Sequence, residues 1–355
     1  MKTIPIIPCL LSLLLATVAS GQEATPPVET APVEPSPVKV YILLGQSNML
    51  GFGKVGPEDR QGTLEYVTRT EKKYPEVVGA DGKWKVRDDV RYVHVMQNGK
   101  EFSTERNEWL TVGEQFIGPE LMIGHLLGDH HEETVLVLKA CIGNRALGWD
   151  YLPPGSERFE YRGKTFGGYR DVKFSWTEGE GPDTDWENAN WYAGKQYDDD
   201  TRYAKTVLAN LGTYVPGATN YEIGGFFWFQ GHKDQSKVMA DRYEQNLVRF
   251  IKSLRTDFDA PDAPFVLATI AFGGRRIAGD GLKIVKAQLA VSGEEGNYPE
   301  FEGNVKSVDA RPFWQPSHRS PSGDGTHYNN NALTYLDVGN GMGKAMVELL
   351  EGKSN

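Results

Sequence analysis

Residues 39–49, KVYILLGQSNM, decide the fold of this chain. The residues between Lys39 and Gly45 are all apolar or aromatic, which predicts a short strand buried on both faces. The polar residues that follow place Ser47 at a glycine-flanked turn between a strand and a helix. Open α/β sheets bind their ligands at the carboxyl ends of the strands. Ser47 is therefore the first candidate for a functional side chain.

Similar apolar runs recur along the chain and alternate with amphipathic stretches. The further predicted strands are Thr134–Ala140, Ile223–Phe229, Pro264–Ile270 and Val305–Val308. The predicted helices begin at Gly118-Pro119-Glu120, cover the apolar face from Met239 to Leu254, and close the chain over Leu336–Leu350. Strands that alternate with helices predict a central parallel sheet in a three-layer α/β architecture.

The first 38 residues do not fit this domain. Residues 1–20 combine Lys2, an apolar stretch and small residues at a cleavage position, as a signal peptide does. A buried first helix is the alternative, which Pro5 and Pro8 disfavour. Residues 21–38 alternate proline with Glu, Thr and Ala and predict an extended linker. We therefore expect an exported protein whose folded domain covers residues 39–355.

The composition excludes several classes of protein. Hydrophobic residues make up 39% and charged residues 24%, so the chain can build a core and is not disordered. The net charge of −10 and the absence of a basic block argue against binding to nucleic acid. No uninterrupted apolar run reaches the length of a membrane span.

Two stretches, 53–112 and 148–200, interrupt the alternation and predict long polar loops, which in a compact domain are usually functional. The second stretch is rich in aromatic side chains, which can stack on the flat C–H faces of sugar rings. The alternative is a set of local clusters that hold the loop in place. As a group these aromatics favour a carbohydrate ligand: they are Trp149, Tyr151, Tyr161, Tyr169, Trp176, Trp186, Trp191 and Tyr192.

Three strand ends carry residues suited to acyl transfer. The Ser47 hydroxyl could act as a nucleophile while its backbone N–H meets an oxyanion, although a helix N-cap is an equally simple interpretation. Gly143, after the second strand, could supply another N–H or form a plain turn. Gln230, after the third strand, could aim an amide donor at the same point. Its alternative is a hydrogen bond that pins a loop.

Near the chain end, Asp324-Gly325-Thr326-His327 adds a carboxylate three residues before an imidazole. In a Ser-His-Asp triad the carboxylate holds one ring nitrogen while the other takes the proton of the serine. Histidine suits this task because its pKa lies near the working pH. A single Asp-x-x-His pair is common, so its value lies in its combination with Ser47.

The four segments, in this order, resemble the SGNH-hydrolase superfamily, and within it the sialate O-acetylesterase-like and acetylxylan-esterase branch (carbohydrate esterase family six). The resemblance covers most of the chain from Lys39 onward. It implies a flavodoxin-like three-layer α/β/α sandwich and hydrolysis of O-acetyl esters on a carbohydrate, without metal or cofactor. It also implies catalytic roles for Ser47, Asp324 and His327. The oxyanion hole would comprise the backbone of Ser47 and Gly143 and the side chain of Gln230.

The chain departs from this family at positions near the site. His232 follows the Gln-Gly pair where many members carry glutamate, and Asn144 and Arg145 replace smaller residues in the second segment. These three, with Gln46 and Trp149, are candidate substrate contacts. Two alternatives stay open: a lipase- or thioesterase-like SGNH hydrolase, and a catalytically idle carbohydrate-binding relative. The sequence does not identify the sugar or the oligomeric state. It also does not tell whether the protein stays in a periplasm or leaves the cell.

Overall fold

The computed structural model describes Met1 and residues 36–98, 101–293 and 296–353. The chain divides into two units, Met1–Pro35 and Ser36–Asn355, and the strands and helices of the described residues belong to the second unit. The predicted signal peptide, after Met1, and the linker up to residue 35 lie outside the described residues.

Most strands of the described part follow the apolar runs of the sequence. The strands are β1 (Val38–Gly45), β2 (Gly53–Lys54), β3 (Val90–Asn98), β4 (Glu101–Trp109), β5 (Phe116–Ile117), β6 (Val135–Ala140), β7 (Phe159–Tyr161), β8 (Lys164–Phe166), β9 (Ser175–Trp176), β10 (Tyr221–Phe229), β11 (Phe265–Ala268) and β12 (Val305–Val308).

The α-helices lie mainly between these strands. They are α1 (Ser47–Leu50), α2 (Glu120–His130), α3 (Lys195–Ala209), α4 (Leu211–Tyr214), α5 (Lys237–Ala240), α6 (Tyr243–Asp257), α7 (Gly279–Ala290) and α8 (Ala332–Lys353). Among the described residues, no helix has the length and apolar character needed to cross a membrane.

The central sheet has seven strands in the order β12-β11-β10-β1-β6-β3-β4. All neighbours pair in parallel except β4, which runs antiparallel to β3 at one edge. The strand β1 therefore lies at the centre, between β10 and β6. This arrangement confirms the predicted α/β class with a mostly parallel sheet.

The central strand β1 feeds two separate cores, because successive side chains point to opposite faces. Val40, Ile42 and Leu44 pack with α3, α6 and α7. Tyr41 and Leu43 pack with α2 and α8 on the other face. All five side chains are almost completely buried. Helices on both faces complete the predicted three layers.

The stretch 53–112, which we expected to be a long loop, contains the hairpin β3–β4 of the central sheet. The edge strand β4 is partly exposed along most of its length and has the sequence EFSTERNEW, which lacks an apolar run. A strand that is solvated at a sheet edge need not be hydrophobic. The stretch 148–200 likewise contains a small antiparallel sheet, β7-β8-β9, and the start of α3.

Candidate active site

The central strands bring three of the four predicted segments together. In the register of β1 and β10, Gly45 pairs with Phe229, so the loops that carry Ser47 and Gln230 begin side by side. Beside them lies a cleft of about 330 Å³. Its walls are formed by Gln46, Ser47, Phe52, Gly143, Asn144, His232, Lys233, Phe272, Thr326 and His327.

Ser47 is the first residue of α1, while Gln46 occupies the N-cap position. The alternative role of Ser47 as an N-cap is therefore wrong. The turn before it requires glycine, since a Cβ on Gly45 would lie 2.5 Å from the carbonyl oxygen of Phe229. This close approach of β1 and β10 places the half-buried Ser47 at the cleft.

A buried ion pair holds the C-terminal end of α1. The Lys139 ammonium, on β6, lies 2.6 Å from Oε2 of Glu120 and donates to the carbonyl oxygen of Leu50 at 3.0 Å. Oε1 of Glu120 accepts a hydrogen bond from the N–H of Gly118. Leu50 is the last residue of α1 and Ser47 is its first, so Lys139 holds the C-terminal end of the short helix that carries Ser47. No sequence pattern singled out either charged residue.

His327 reaches the cleft from the loop before α8. Its φ of 44° begins a run of left-handed residues through Asn330, and its ring stacks on Phe52 with centroids 4.1 Å apart. Burial lowers the pKa of His327 below its usual value, against the opposing effect of the Asp324 charge. The lowered pKa favours the neutral ring, which is the state that a general base needs. In the described part of the chain, no hydrogen bond joins Ser47 to His327.

Asp324 is exposed beside the cleft and does not make the predicted bond to His327. Its Oδ1 accepts a hydrogen bond from the N–H of Thr326 at 2.9 Å, and this bond is the main reason that its pKa lies below the usual range. Within the described residues, the carboxylate acts on His327 only through its charge. The orienting role of Asp324 stays a prediction.

Gln230 lies behind the cleft wall and is completely buried. Its Nε2 lies 2.6 Å from Asp234, 2.8 Å from the carbonyl oxygen of Arg145 and 3.1 Å from Gln46. Its Oε1 accepts a hydrogen bond from Tyr243. The amide hydrogens are thus used inside the protein, and the geometry matches the alternative of a loop-pinning bond rather than an oxyanion donor.

Two aspartates complete this pinning of the loop after Asn144. Asp234 accepts hydrogen bonds from the N–H groups of Leu147 at 2.9 Å and Gly148 at 2.7 Å. Asp150 accepts from the N–H of Ala146 at 2.7 Å. Together with Gln230, these side chains hold each residue from 145 to 148. Asp234 lies four residues after Gln230, but no sequence pattern gave it a role.

Two backbone donors remain available in the cleft. A Cβ built on Gly143 would lie 3.7 Å from the Cβ of Ser47, so the two residues are neighbours. Among the described residues, neither the Ser47 N–H nor the Gly143 N–H donates to a protein acceptor. Two adjacent free N–H groups beside a serine hydroxyl can hold an oxyanion that forms there.

The candidate substrate contacts divide between the cleft and its surroundings. Asn144, His232 and the buried Gln46 line the cleft. The His232 ring lies 4.3 Å from Phe272, and burial, followed by the charge of His327, lowers its pKa. Arg145 instead turns toward α3, where Nε donates to Gln196 and the guanidinium covers a tryptophan ring.

Trp149 is also outside the cleft, and its ring packs edge-on against Phe174 at 5.3 Å. Tyr151 is fully buried and bonds the carbonyl oxygen of Gly45, while Trp176 and Tyr192 are buried as well. For these residues the alternative of local clusters is confirmed. The aromatic rings that do line the cleft, Phe52 and Phe272, were missed because each is a single aromatic residue beside glycine, just outside a predicted element and without a motif of its own.

Metal-binding residues are not clustered in the described ranges: no three His, Cys, Asp or Glu side chains there are placed to hold an ion together. The cleft therefore offers a hydroxyl, two imidazoles, an ammonium and two free backbone donors. This combination lies at the carboxyl end of a parallel sheet and contains the groups that serine hydrolases use.

The family comparison points to one class of such enzymes. Residues 179–348 match the family described as carbohydrate esterase, sialic acid-specific acetylesterase. The matched segment contains Gln230, Asp324 and His327, whereas Ser47 and Gly143 lie upstream of it. The chain is similar to the sialate O-acetylesterase-like branch of the SGNH hydrolases, and the predicted resemblance is confirmed.

A protein of Arabidopsis thaliana, named as a probable carbohydrate esterase, is 34% identical over 91 residues. This match covers 25% of the chain and spans 30% of the relative.

Three solved structures are distantly similar to the chain. The solved structure of the same Arabidopsis thaliana protein is 16% identical when it is aligned by structure, with 88% of this chain and 98% of that chain covered and a TM-score of 0.49. A carbohydrate acetylesterase from Xanthomonas citri is 11% identical, with 86% and 57% covered and a TM-score of 0.49. NanS is 13% identical, with 90% and 99% covered and a TM-score of 0.49. Such distant similarity does not determine activity.

Proposed function

We propose that this protein is a serine esterase that removes O-acetyl groups from a carbohydrate through an acetyl-serine intermediate. The observation that carries the proposal is the meeting of the Ser47 hydroxyl, the His327 ring and the free N–H groups of Ser47 and Gly143 in one cleft. The family match of residues 179–348 supports the carbohydrate ester as substrate.

The first half of the reaction forms the intermediate. His327 takes the proton of Ser47 as the serine oxygen attacks the acetyl carbonyl carbon. The N–H groups of Ser47 and Gly143 stabilise the oxyanion, and loss of such a donor typically lowers kcat by about 10²–10³-fold. The bond from the acetyl carbon to the sugar oxygen then breaks, and His327 gives its proton to that oxygen.

The second half releases acetate. A water molecule gives a proton to His327 and attacks the acetyl-serine carbonyl through the same oxyanion geometry. The ester bond to Ser47 breaks, and the proton returns from His327 to the serine oxygen. Atoms and charges balance without a redox partner, and no step needs Gln230 as a donor.

The lining of the cleft favours a short acyl group. Most of the residues that line it carry polar side chains, and Phe52 and Phe272 are its large apolar members. A lipase or thioesterase that binds a long acyl chain needs a continuous apolar groove. Hydrolysis of an acetyl ester at a polar sugar fits this lining better. The signal-peptide pattern in residues 1–20 supports action outside the cytoplasm.

The test is acetate release from a panel of acetylated glycans by wild type, Ser47→Ala and Ser253→Ala. Ser253 lies on α6, outside the cleft, and its substitution serves as the matched control. We expect release by wild type and the control, and loss of release in Ser47→Ala with unchanged unfolding. Full activity of Ser47→Ala would refute the serine mechanism. Glycan binding without any release would support the idle relative instead.

A further inference from the structure

An exposed phenylalanine lies beside the cleft but outside its lining. Phe116 is 39% exposed, which is unusual for so large an apolar side chain. It belongs to β5, which pairs with β2 through Lys54 opposite Phe116. The N–H of Val55 bonds the carbonyl oxygen of Gln115 at 3.0 Å, which extends this ladder. The exposed ring therefore stands on a fixed backbone.

Phe52 connects this ring to the catalytic histidine. The Phe116 and Phe52 centroids are 5.6 Å apart, with planes inclined by 59°. The other neighbour of Phe52 is His327, at 4.1 Å and nearly parallel. Phe52 itself lines the cleft. An apolar surface thus runs outward from His327 across Phe52 to Phe116.

We propose that Phe116, with Phe52, forms a subsite for a sugar ring that adjoins the acetylated residue. The inference rests on the proposed function and deepens it, since it assigns an acetylated oligosaccharide or polysaccharide rather than a free acetylated sugar as substrate. A pyranose ring presents a flat face of C–H groups, which packs on an aromatic face with little loss of hydrogen bonding. The cleft itself holds the acetyl group, so the ring at Phe116 belongs to a neighbouring sugar.

A comparison with Phe174 supports this assignment. Phe174 is 37% exposed, almost the same as Phe116. Its ring, however, packs edge-on against both Trp149 at 5.3 Å and Phe166 at 5.2 Å in a local cluster. Among the described residues, Phe52 is the single ring partner of Phe116. The exposure of Phe174 is thus explained by the packing of its loop, whereas Phe116 lies in continuity with the site.

The test uses the glycan of the panel that wild type deacetylates best, both as an acetylated oligosaccharide and as the acetylated monosaccharide. In Phe116→Ala we expect the ratio of kcat/KM for the oligosaccharide to that for the monosaccharide to fall by roughly 3- to 10-fold, through KM. Phe116→Trp should keep the ratio. Phe174→Ala is the matched control and should leave it unchanged.

A binding measurement separates recognition from turnover. Calorimetry with Ser47→Ala should show the oligosaccharide binding more tightly than the monosaccharide, and adding Phe116→Ala should remove the difference. An unchanged ratio in Phe116→Ala, or an equal change in Phe174→Ala, would overturn the subsite while leaving the esterase intact. If wild type releases no acetate from any glycan, the proposed function fails and the subsite fails with it.

Discussion

The ring of Phe52 stacks on the ring of His327 with a centroid separation of 4.1 Å and an interplanar angle of 18°. Among the described residues, His327 lacks a hydrogen bond to Asp324, so we expect this contact to orient the proposed general base. The same contact helps to bury the imidazole, and burial is the main cause of its lowered pKa. One apolar side chain therefore controls both the position and the basicity of His327.

Replacement of Phe52 by alanine should move the acid limb of the kcat/KM profile to higher pH. The base must be neutral to act, and greater exposure of His327 to water raises its pKa toward the usual value. Activity at neutral pH should also fall, on the order of tenfold, because the ring loses its fixed orientation. The measurement is the pH profile with a small acetate ester. Phe52→Leu, which keeps the site apolar, should shift the acid limb less. An unshifted acid limb in Phe52→Ala would contradict the role of Phe52 in lowering the pKa of His327.

Asp324→Asn should shift the acid limb of the kcat/KM profile to lower pH, opposite to the shift expected for Phe52→Ala. The Asp324 charge raises the pKa of His327, so its removal lowers that pKa and extends activity to more acidic pH. The amide oxygen of asparagine can still accept the Thr326 N–H, and we expect a loss in kcat of less than about tenfold. A loss near 10⁴-fold, as in triads with a direct Asp–His bond, would mean that the carboxylate reorients in the substrate complex.

Gln230→Ala should destabilise the protein as well as slow it. The variant removes one buried hydrogen-bond partner each from Asp234, the Arg145 carbonyl and Gln46, which costs about 1–3 kcal/mol of the free energy of unfolding. A pure oxyanion donor would instead affect kcat alone. Urea unfolding beside kcat distinguishes the two, with the exposed Gln235→Ala as control. Unchanged stability with a large loss of kcat would restore the oxyanion role.

Asp234 should contribute a distinctive pH dependence of stability. Burial raises the pKa of its carboxyl to about 6, so the folded protein binds this proton more tightly than the unfolded chain. The stability contributed by this group therefore falls as the pH rises from about 4 to about 6. The free energy of unfolding of wild type, relative to that of Asp234→Asn, should fall over that range by at most about 3 kcal/mol. A constant or rising relative stability would contradict this sign.

Lys139→Met should be strongly destabilising, by about 3–5 kcal/mol, because it leaves the Glu120 carboxylate buried without a counter-charge. Lys139→Met combined with Glu120→Gln should recover part of this loss. Thermal and urea unfolding of the two variants provide the measurement. If the double variant is stable but has a lower kcat, the bond from Lys139 to Leu50 positions Ser47 in addition to stabilising the fold. If Lys139→Met is as stable as wild type, the ion pair does not stabilise the fold.

The sequence predicted β1, β6, β10 and β11, which are buried along most of their length, and also the partly buried edge strand β12. The strand β12 has the predicted bounds, and β1, β6 and β10 differ from prediction by one or two residues at their ends. The strand β4 was missed because an exposed edge strand carries charges like a loop, whereas β3 was missed although its buried residues Val90, Tyr92, Val93 and Val95 give it a strand-like sequence.

The sequence indicated several residues that lie together at the cleft, but it did not reveal contacts between residues distant in the chain. Ser47 and Gly143 meet because the neighbouring strands β1 and β6 end side by side, and His327 joins them from the loop before α8. The buried contacts of Gln230 were not predicted, since its partners Gln46 and Arg145 lie far away in the chain and no local pattern reveals them; its role in an oxyanion hole stays a prediction. The catalytic roles of Ser47, Asp324 and His327 stay predictions.

The short β2–β5 ladder has a practical consequence for redesign. It presents Phe116 from a two-residue strand at the surface, while Ser47 and Gly143 follow strands of the central sheet. A library that varies the side chains of this ribbon could thus retune glycan preference without disturbing the hydrolytic groups. Selectivity could then be varied at the β2–β5 ladder, and turnover at the residues that follow the central strands.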